Sequence, residues 1–488
     1  MSINVRLSPA LFGGVLLVLF YVASYLGDLA QPAPLEQCCA GGWANWWDQS
    51  LFYHSMDALA EGKLDARLHM VPPGYSLLAV PFAFLRGHAF FPVDLISLTT
   101  AYAAFVCFAV RAGVSATVAA ALFLLTACAD PIVFRQWVIP WSTTPSAALT
   151  WVLLALSAAH LQGKRRPFIL GVVAAAMPIL RPTDALISAT CVAWLTVSDF
   201  RQSALDWRAV ARLAAGAALI LLPYAALYLA IYGLGVSWYI RKVGQVGFTF
   251  HNPIWRAYVL LIEPRQWFFI GKGLLAQMPW LIFGIAGLVL AFVRGGAIAL
   301  LSACLIIYCS LYLCYMDLLP TGLWRYFNIH YFMWTFPAFG LLGWLLIKAL
   351  FAGQRLACAA LAVTLLLSCV RVTPRLAGPR EMANAIDLPG PTTTEANTTM
   401  SEGLAIVDDK GPVANISNMR AFPMPLGQGV RFIGLRRNFA GAVTWLPGQG
   451  LPMSLDPAPQ VRWAEHIGFG YPCWLPPLAC KHPVLPPG

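Results

Sequence analysis

Residues 7–27, LSPALFGGVLLVLFYVASYLG, form a stretch of 21 residues that carries no charged side chain. A helix of about 20 apolar residues crosses the hydrocarbon core of a bilayer, so this stretch predicts a membrane span. Apolar windows between charged residues recur along the chain, at 95–110, 112–129, 136–159, 167–180, 185–198, 213–240, 273–293, 295–316, 326–347 and 356–370. If each window crosses the membrane once, the chain has eleven spans.

The composition excludes a water-soluble globule. Of the 488 residues, 59% are hydrophobic and 11% are charged, and the mean hydropathy is +0.68. These values are typical of a polytopic membrane protein. The net charge of +11 does not indicate nucleic-acid binding, because the basic residues are spread over turns and loops.

The basic residues predict how the spans are threaded. With the N-terminus on the cytoplasmic side, the short cytoplasmic turns contain eleven basic and two acidic residues, which is the positive-inside pattern. The basic residues are Arg6, Arg111, Lys164, Arg165, Arg166, Arg201, Arg208, Arg212, Arg294, Lys348 and Arg355, and the acidic ones are Asp199 and Asp206. The first window is too long for a cleavable signal peptide, so it is predicted to remain as a span.

Two domains are predicted from this threading. Residues 1–372 form an all-α transmembrane domain that includes a long first outer loop at 28–94, and residues 373–488 form a small extracytoplasmic domain. Strand-like runs at 403–407 and 430–435 predict a mixed α/β fold for this tail. Cys473 and Cys480, both in the tail, could pair in an oxidising compartment.

The first outer loop places an acidic residue among aromatic ones. It contains WWDQSLFY at 46–53, in which Asp48 is the acid, followed by DALAEGK at 57–63 and VPPGYSLL at 71–78. Asp57 and Glu61 follow at helical spacing and are predicted to lie on a solvated face. The prolines at 72 and 73 predict an extended approach to a helix, with Gly74 relaxing the turn.

Three later motifs complete a pattern that runs through nearly the whole chain. They are Leu180-Arg181-Pro182-Thr183 at a short hairpin, Glu263-Pro264-Arg265 before the aromatic run Trp267-Phe268-Phe269, and Arg325-Tyr326 at the start of a late helix. In this order, the motifs resemble the multi-span glycosyltransferases of the GT-C class, related to the protein mannosyltransferases and the lipid A aminoarabinose transferases. The resemblance implies a GT-C-like bundle of about eleven transmembrane helices and a polyprenyl-phosphate sugar as donor.

The resemblance implies that Asp48 is the catalytic base. Transfer from a lipid-phosphate sugar needs a base to accept the proton of the attacking acceptor, and Asp48 matches the family's first-loop acid. The alternative is that Asp48 caps a helix over 49–62. The next position is often a second acid in this family, whereas Gln49 stands here, so neither a divalent metal nor a paired-carboxylate mechanism is predicted. No cofactor is predicted either.

Cationic side chains are expected to hold the departing phosphate. Arg181 and Arg325 are the main candidates, because each lies at a predicted outer helix end and a guanidinium binds phosphate bidentately. Anchoring in the lipid interface is the alternative for both. Tyr326, Arg265 and Lys272 are predicted to contact the donor as well.

The predicted function is transfer of a sugar from a polyprenyl-phosphate donor to a lipid, glycan or protein acceptor, by inverting displacement at the outer face of a bacterial cytoplasmic membrane. A glycan ligase or polymerase with a diphosphate-linked donor is one alternative. A transporter is another, although it would favour internal repeats and ionisable groups at mid-membrane. A structural assembly subunit would leave Asp48 dispensable.

Overall fold

The computed structural model describes residues 9–29, 47–202, 206–241, 248, 253–262, 273–315, 329–351, 355–356, 359, 363, 405–408, 411–415, 431–432 and 445–446. Up to residue 363 these residues are predominantly helical, and the described residues of the tail form two short antiparallel strand pairs. The predicted all-α character of the membrane part is therefore confirmed.

Fifteen α-helices lie within the described residues. They are α1 (Pro9–Leu29), α2 (Trp47–Ala60), α3 (Gly74–Ala79), α4 (Phe90–Arg111), α5 (Ala116–Cys128), α6 (Pro131–Val138), α7 (Thr143–Leu161), α8 (Pro167–Leu180), α9 (Ala185–Gln202), α10 (Trp207–Tyr232), α11 (Pro253–Leu261), α12 (Leu274–Gln277), α13 (Leu281–Arg294), α14 (Gly296–Cys314) and α15 (Thr335–Leu350). Three 3-10 helices cover Val80–His88, Pro182–Asp184 and Ile329–Phe332.

Helix length separates the apolar helices into two groups. Five described helices, α1, α4, α7, α10 and α14, are long and apolar enough to cross a membrane. α5, α8, α13 and α15 are apolar but only 13 to 16 residues long. Ten of the eleven predicted windows contain a described helix, and most of the window at 356–370 lies outside the described residues. The chain is thus a polytopic membrane protein, and the number of eleven spans stays a prediction.

Polar contacts show which helix ends lie together at each of the two ends of the bundle. At one end, the Gln162 amide donates to the carbonyl of Arg111 at 2.9 Å, and Asp199 accepts from Arg165 at 2.9 Å. Arg111, Arg165 and Asp199 were all predicted to lie in cytoplasmic turns. The opposite end contains Arg181 and Tyr312, which are hydrogen-bonded, and we call it the Arg181 end.

Glycines bring helices into close contact. A Cβ on Gly171 of α8 would lie 2.0 Å from the carbonyl oxygen of Leu213 on α10, and a Cβ on Gly216 of α10 would lie 2.0 Å from the carbonyl oxygen of Phe168. Gly284 of α13 approaches α15 in the same way. Small residues at helix contacts are typical of membrane bundles, because they let backbones approach closely.

The first outer loop contains a compact unit, residues 47–88, which we call the loop platform. Its core consists of Phe52, Tyr53, Met56, Val71, Tyr75 and Ala79, packed against Phe90. The hydroxyl of Ser76 donates to the carbonyl of Phe52 at 2.9 Å. The phenol of Tyr75 donates to both carboxylate oxygens of the buried Asp94 on α4, at 2.9 Å each. These contacts fix the loop platform against the bundle.

The Pro-Pro-Gly-Tyr element differs from its predicted form. Pro73 has helical backbone angles, with φ −73° and ψ −5°, so it does not extend the chain. Gly74 is the first residue of α3, and a Cβ there would lie 2.3 Å from the carbonyl oxygen of Ile179. The glycine is therefore explained by the close approach of α3 to α8 and not by a relaxed turn.

The strands of the tail overlap the predicted strand-like runs. β1 (Ala405–Asp408) pairs with β2 (Gly411–Asn415), and β3 (Arg431–Phe432) pairs with β4 (Trp445–Leu446). The rest of the proposed tail domain, including Cys473 and Cys480, lies outside the described residues, so this domain stays a prediction.

Candidate functional site

A short turn between α8 and α9 places Arg181 at the Arg181 end of the bundle. Because proline disfavours a helical residue before it, Pro182 ends α8 and leaves Arg181 extended, with φ −147° and ψ 114°. Pro182–Asp184 then forms one 3-10 turn, in which the N–H of Asp184 donates to the carbonyl of Arg181 at 3.0 Å. The predicted short hairpin with a polar apex is confirmed.

Arg181 is a buried cation among phenols. Its side chain is 8% exposed, and its guanidinium donates to the phenol of Tyr308 at 3.3 Å and to that of Tyr312. It also lies over the rings of Tyr312 and Tyr331, 5.4 and 5.1 Å from their centroids. In the described part of the chain, no carboxylate is within ion-pair distance of Arg181.

The phenols are themselves held in place. Tyr308 and Tyr312 lie one helical turn apart on α14, and the Tyr308 hydroxyl donates to the carbonyl of Tyr331 at 2.7 Å. Tyr312 and Tyr331 stack with centroids 4.8 Å apart. Because each ring is fixed by a second contact, the guanidinium of Arg181 has a defined position.

Asp184 is the buried carboxylate of the same turn. Its side chain is 0% exposed and accepts a hydrogen bond from the hydroxyl of Ser146 on α7. Thr183 donates to its other oxygen at 3.5 Å, and the Thr183 hydroxyl is also 2.9 Å from that of Tyr312. A continuous hydrogen-bonded chain therefore joins Ser146, Asp184, Thr183, Tyr312 and Arg181.

A cavity of about 130 Å³ lies beside this chain of hydrogen bonds. Residues from the loop platform, the start of α7, the turn after α8 and the end of α14 line it. The lining residues are Phe52, Val71, Pro72, Ser142, Leu180, Arg181, Pro182, Thr183, Tyr239, Ile240, Phe248, Tyr312, Tyr315 and Tyr331. A cavity of about 150 Å³ holds a benzene ring, so this slightly smaller one has room for a phosphate group.

The loop platform brings α2 to the cavity. α2 begins at Trp47, so Asp48 is its second residue and occupies the first helical turn. The helix that Asp48 was alternatively predicted to cap begins at 47 and not at 49. An acid in the first turn favours the helix dipole, and the two roles of Asp48 stay alternative predictions. Asp48 lies one helical turn before Phe52, which lines the cavity.

The polar residues next to Asp48 differ in their environment. Gln49 is 0% exposed, and its amide donates to the carbonyl of Pro140 at 3.3 Å, while its side-chain oxygen has no hydrogen-bond partner among the described residues. Asp57 and Glu61 are exposed, as predicted. Burial raises the pKa of Asp57, an effect opposed by His54 and increased by Glu61.

Four predicted site residues lie outside the described residues. They are Arg265, Lys272, Arg325 and Tyr326. On either side of the segment that contains Arg325, the structure describes Tyr315 and Tyr331, and both line the cavity. The structure thus brings Arg181 and α2 to one cavity and leaves the other predicted donor contacts as predictions.

The sequence analysis missed several polar residues of this site. Tyr308 and Tyr312 are four residues apart, which places them on one face of α14, and Tyr315 directly follows the end of that helix. That spacing was the available signal for a polar stripe facing inward. Ser146 lies inside the apolar window at 136–159, close to Ser142, Thr143 and Thr144, so nothing in the sequence distinguished it. Asp184 was visible at the polar apex of the hairpin, but the sequence did not show its partners.

Comparisons of the chain with protein families, with curated proteins and with solved structures find no match.

Proposed function

We propose that this membrane protein is a glycosyltransferase that moves a sugar from a polyprenyl-phosphate donor to a lipid, glycan or protein acceptor. The observation that carries the proposal is the buried guanidinium of Arg181 at a cavity wall, with no carboxylate of the described residues in ion-pair distance. A buried charge is costly unless it is paired. The nearby carboxylate of Asp184 offsets part of this cost without direct contact, and an anionic ligand such as a phosphate ester would supply a directly bound counter-charge.

The chemistry of Arg181 suits a departing phosphate. A guanidinium has five N–H groups, and among the described residues two of its bonds go to phenols. The remaining N–H groups can face a phosphate, whose negative charge increases as the bond to the sugar breaks. The proposed partners of Arg181 in this role are Arg325 and, for contacts to the donor, Arg265, Lys272 and Tyr326.

The proposed reaction is a single inverting displacement. The acceptor oxygen attacks the anomeric carbon, the bond from that carbon to the phosphate oxygen breaks, and the bonding electrons leave with the phosphate. Asp48 accepts the proton of the acceptor. The position of Asp48, one helical turn before the cavity-lining Phe52, supports this assignment.

The site is proposed to face the outer side of a bacterial cytoplasmic membrane. The turns at the end opposite Arg181 contain Arg111 and Arg165, which the positive-inside rule assigns to the cytoplasm. The Arg181 end then faces outward, as does the proposed extracytoplasmic tail, and a lipid-linked donor reaches the cavity from the headgroup layer.

The test replaces Asp48 and a matched acid on the same helix. Asp48→Asn keeps the side-chain volume and removes the base, whereas Asp57→Asn changes an exposed carboxylate nine residues later. Each variant is expressed in cells lacking the protein, and envelope glycolipids and glycans are compared by mass spectrometry. We expect Asp57→Asn to restore the missing glycan species and Asp48→Asn not to do so at equal membrane abundance. Full restoration by Asp48→Asn contradicts the proposed mechanism.

A further inference from the structure

In the hydrogen-bonded chain beside the cavity, the residues at the two ends determine in which direction each hydroxyl group donates its proton. Arg181 is a donor only, and an ionised Asp184 is an acceptor only. Between them lie two hydroxyl groups, those of Tyr312 and Thr183, and each hydroxyl has one proton. Tyr312 accepts from Arg181, so its own proton points to Thr183, and the proton of Thr183 points to Asp184.

Asp184 does not line the cavity, so its influence on a ligand is indirect. Its second oxygen accepts from Ser146, a residue of the neighbouring helix α7. This bond ties the turn to α7 and leaves the other oxygen for Thr183. The carboxylate thereby fixes the proton of Tyr312 away from Arg181 and leaves a phenol lone pair for the guanidinium.

We propose that Asp184 is a positioning residue for anion binding, which orients the Arg181 guanidinium toward a phosphate through Thr183 and Tyr312. This inference rests on the proposed function, because it takes a polyprenyl phosphate as the ligand. An Asn at position 184 can present its amide N–H₂ to Thr183 in place of a carboxylate oxygen. The acceptor that holds the Thr183 hydroxyl is then lost, and with it the support that Thr183 gives to Tyr312 and, through Tyr312, to the guanidinium.

The opposite sign is expected if Asp184 acts only as a charge. Removing a negative charge near a phosphate site strengthens phosphate binding by simple electrostatics. A positioning role predicts weaker binding, because the guanidinium loses one charge-assisted hydrogen bond to the phosphate. Loss of such a bond corresponds to about tenfold or more in affinity. The direction of the change therefore separates the two roles.

The experiment measures binding of two probes to the purified full chain in detergent. The probes are undecaprenyl phosphate and undecaprenol, which share the hydrocarbon tail and differ in the phosphate. Wild-type protein is expected to bind the phosphate more tightly than the alcohol, and Arg181→Gln to lose that preference. If wild-type protein binds both probes equally, or if Arg181→Gln retains the preference, the proposed function is contradicted together with the inference.

Given that preference, Asp184→Asn tests the inference alone. We expect about tenfold weaker binding of undecaprenyl phosphate and unchanged binding of undecaprenol, a result that general loosening of the structure would not give. Asp94→Asn is the control, since it neutralises another buried carboxylate, which among the described residues accepts hydrogen bonds from Tyr75 and from no member of this hydrogen-bonded chain. Tighter or unchanged phosphate binding by Asp184→Asn overturns the inference and leaves the proposed function standing.

A double-mutant cycle tests the route through Tyr312. Tyr312→Phe removes the phenol that connects Thr183 with Arg181, so adding Asp184→Asn should change phosphate affinity by less than about twofold. If Asp184→Asn weakens phosphate binding as much in Tyr312→Phe as it does in the wild-type protein, the proposed route through Tyr312 is contradicted. Ser146→Ala provides a second variant if Asp184→Asn fails to fold: it should weaken phosphate binding, and Ser146→Thr should restore it. Unchanged binding by Ser146→Ala also overturns the inference.

Discussion

The close contact between α8 and α10 predicts a strong effect of a single methyl group. In Gly216→Ala, the new Cβ would lie 2.0 Å from the carbonyl oxygen of Phe168, and this oxygen would have to retreat by about 1.4 Å to reach the 3.4 Å of an ordinary contact. Moving apart by that distance weakens the van der Waals contacts along the whole interface, because a gap of 0.5–1 Å already removes about a quarter to a half of the attraction.

The magnitude follows from two opposing effects. Alanine is about 1 kcal/mol more favourable than glycine in a helix interior, and overpacking costs about 1–3 kcal/mol. Interface separation adds to the cost, so we expect Gly216→Ala to lower the free energy of unfolding by about 2 kcal/mol. Gly27→Ala is the matched control, because Gly27 lies in the helix α1 and, apart from its own helix, no atom of the described residues is within 4 Å of its Cβ position. That control should be neutral or stabilise by up to about 1 kcal/mol.

The assay is reversible unfolding in mixed detergent micelles, with helicity measured by circular dichroism. Because Arg181 directly follows the last residue of α8, the same variant should also lose affinity for undecaprenyl phosphate relative to the control. Adding Gly171→Ala should cost less than the sum of the single changes, since one separation of the helices relieves both contacts. Equal stability of Gly216→Ala and Gly27→Ala would refute the assigned contact.

Three further predictions use single hydrogen bonds or charges. Ser115→Ala removes the side-chain cap that accepts from the N–H of Val118, so thermal unfolding should show a loss of about 1 kcal/mol, and a retained stability would speak against the cap. Tyr75→Phe leaves the buried carboxylate of Asp94 without this donor, so stability should fall by about 1–3 kcal/mol in the same assay and recover in part in the double variant with Asp94→Asn; no recovery would argue against an unpartnered carboxylate as the cause. Arg325→Ala should weaken use of the donor more than use of the acceptor in transfer kinetics, and the reverse order would argue against its assignment to the phosphate.

The helices were predictable because their determinants are local. A charge-free window of sufficient length has to form a helix in hydrocarbon, where no water satisfies the backbone. The proline at 182 also marked a break, since a residue before proline avoids the helical conformation. Both features depend on neighbours in sequence, and the described helices follow them.

The pairing of helices was not predictable, because it depends on contacts between residues distant in sequence. Gly171 and Gly216 meet across α8 and α10, but a glycine in an apolar window also suits a kink or a loop. The prediction that Gly74 relaxes a turn was wrong for the same reason. The carbonyl of Ile179, which leaves no space for a side chain at position 74, is more than a hundred residues away in the sequence. A single sequence does not show which residues that are distant in sequence are in contact.

The candidate site also contains residues that could be predicted from the sequence and residues that could not. Arg181 was predictable, because a charged residue between two apolar windows needs an explanation. Its phenol partners were hidden inside the window at 295–316, where tyrosine is also expected as an interface residue. Asp184 was visible in sequence, but its role depends on the hydroxyls of Ser146 and Thr183, which only the fold brings to it.

The arrangement around Arg181 explains how a cavity wall can hold a cation before a ligand arrives. Burial of a guanidinium costs free energy, and the phenols of Tyr308 and Tyr312, the ring of Tyr331 and the nearby carboxylate of Asp184 each offset part of it. Each of these groups is held by a further contact. Since stabilisation of developing charge is most effective when the dipoles and charges are already in place, this preorganisation favours a catalytic role over an anchoring role in the lipid interface. A snorkelling arginine, in contrast, would extend to water and would not need two phenols from another helix.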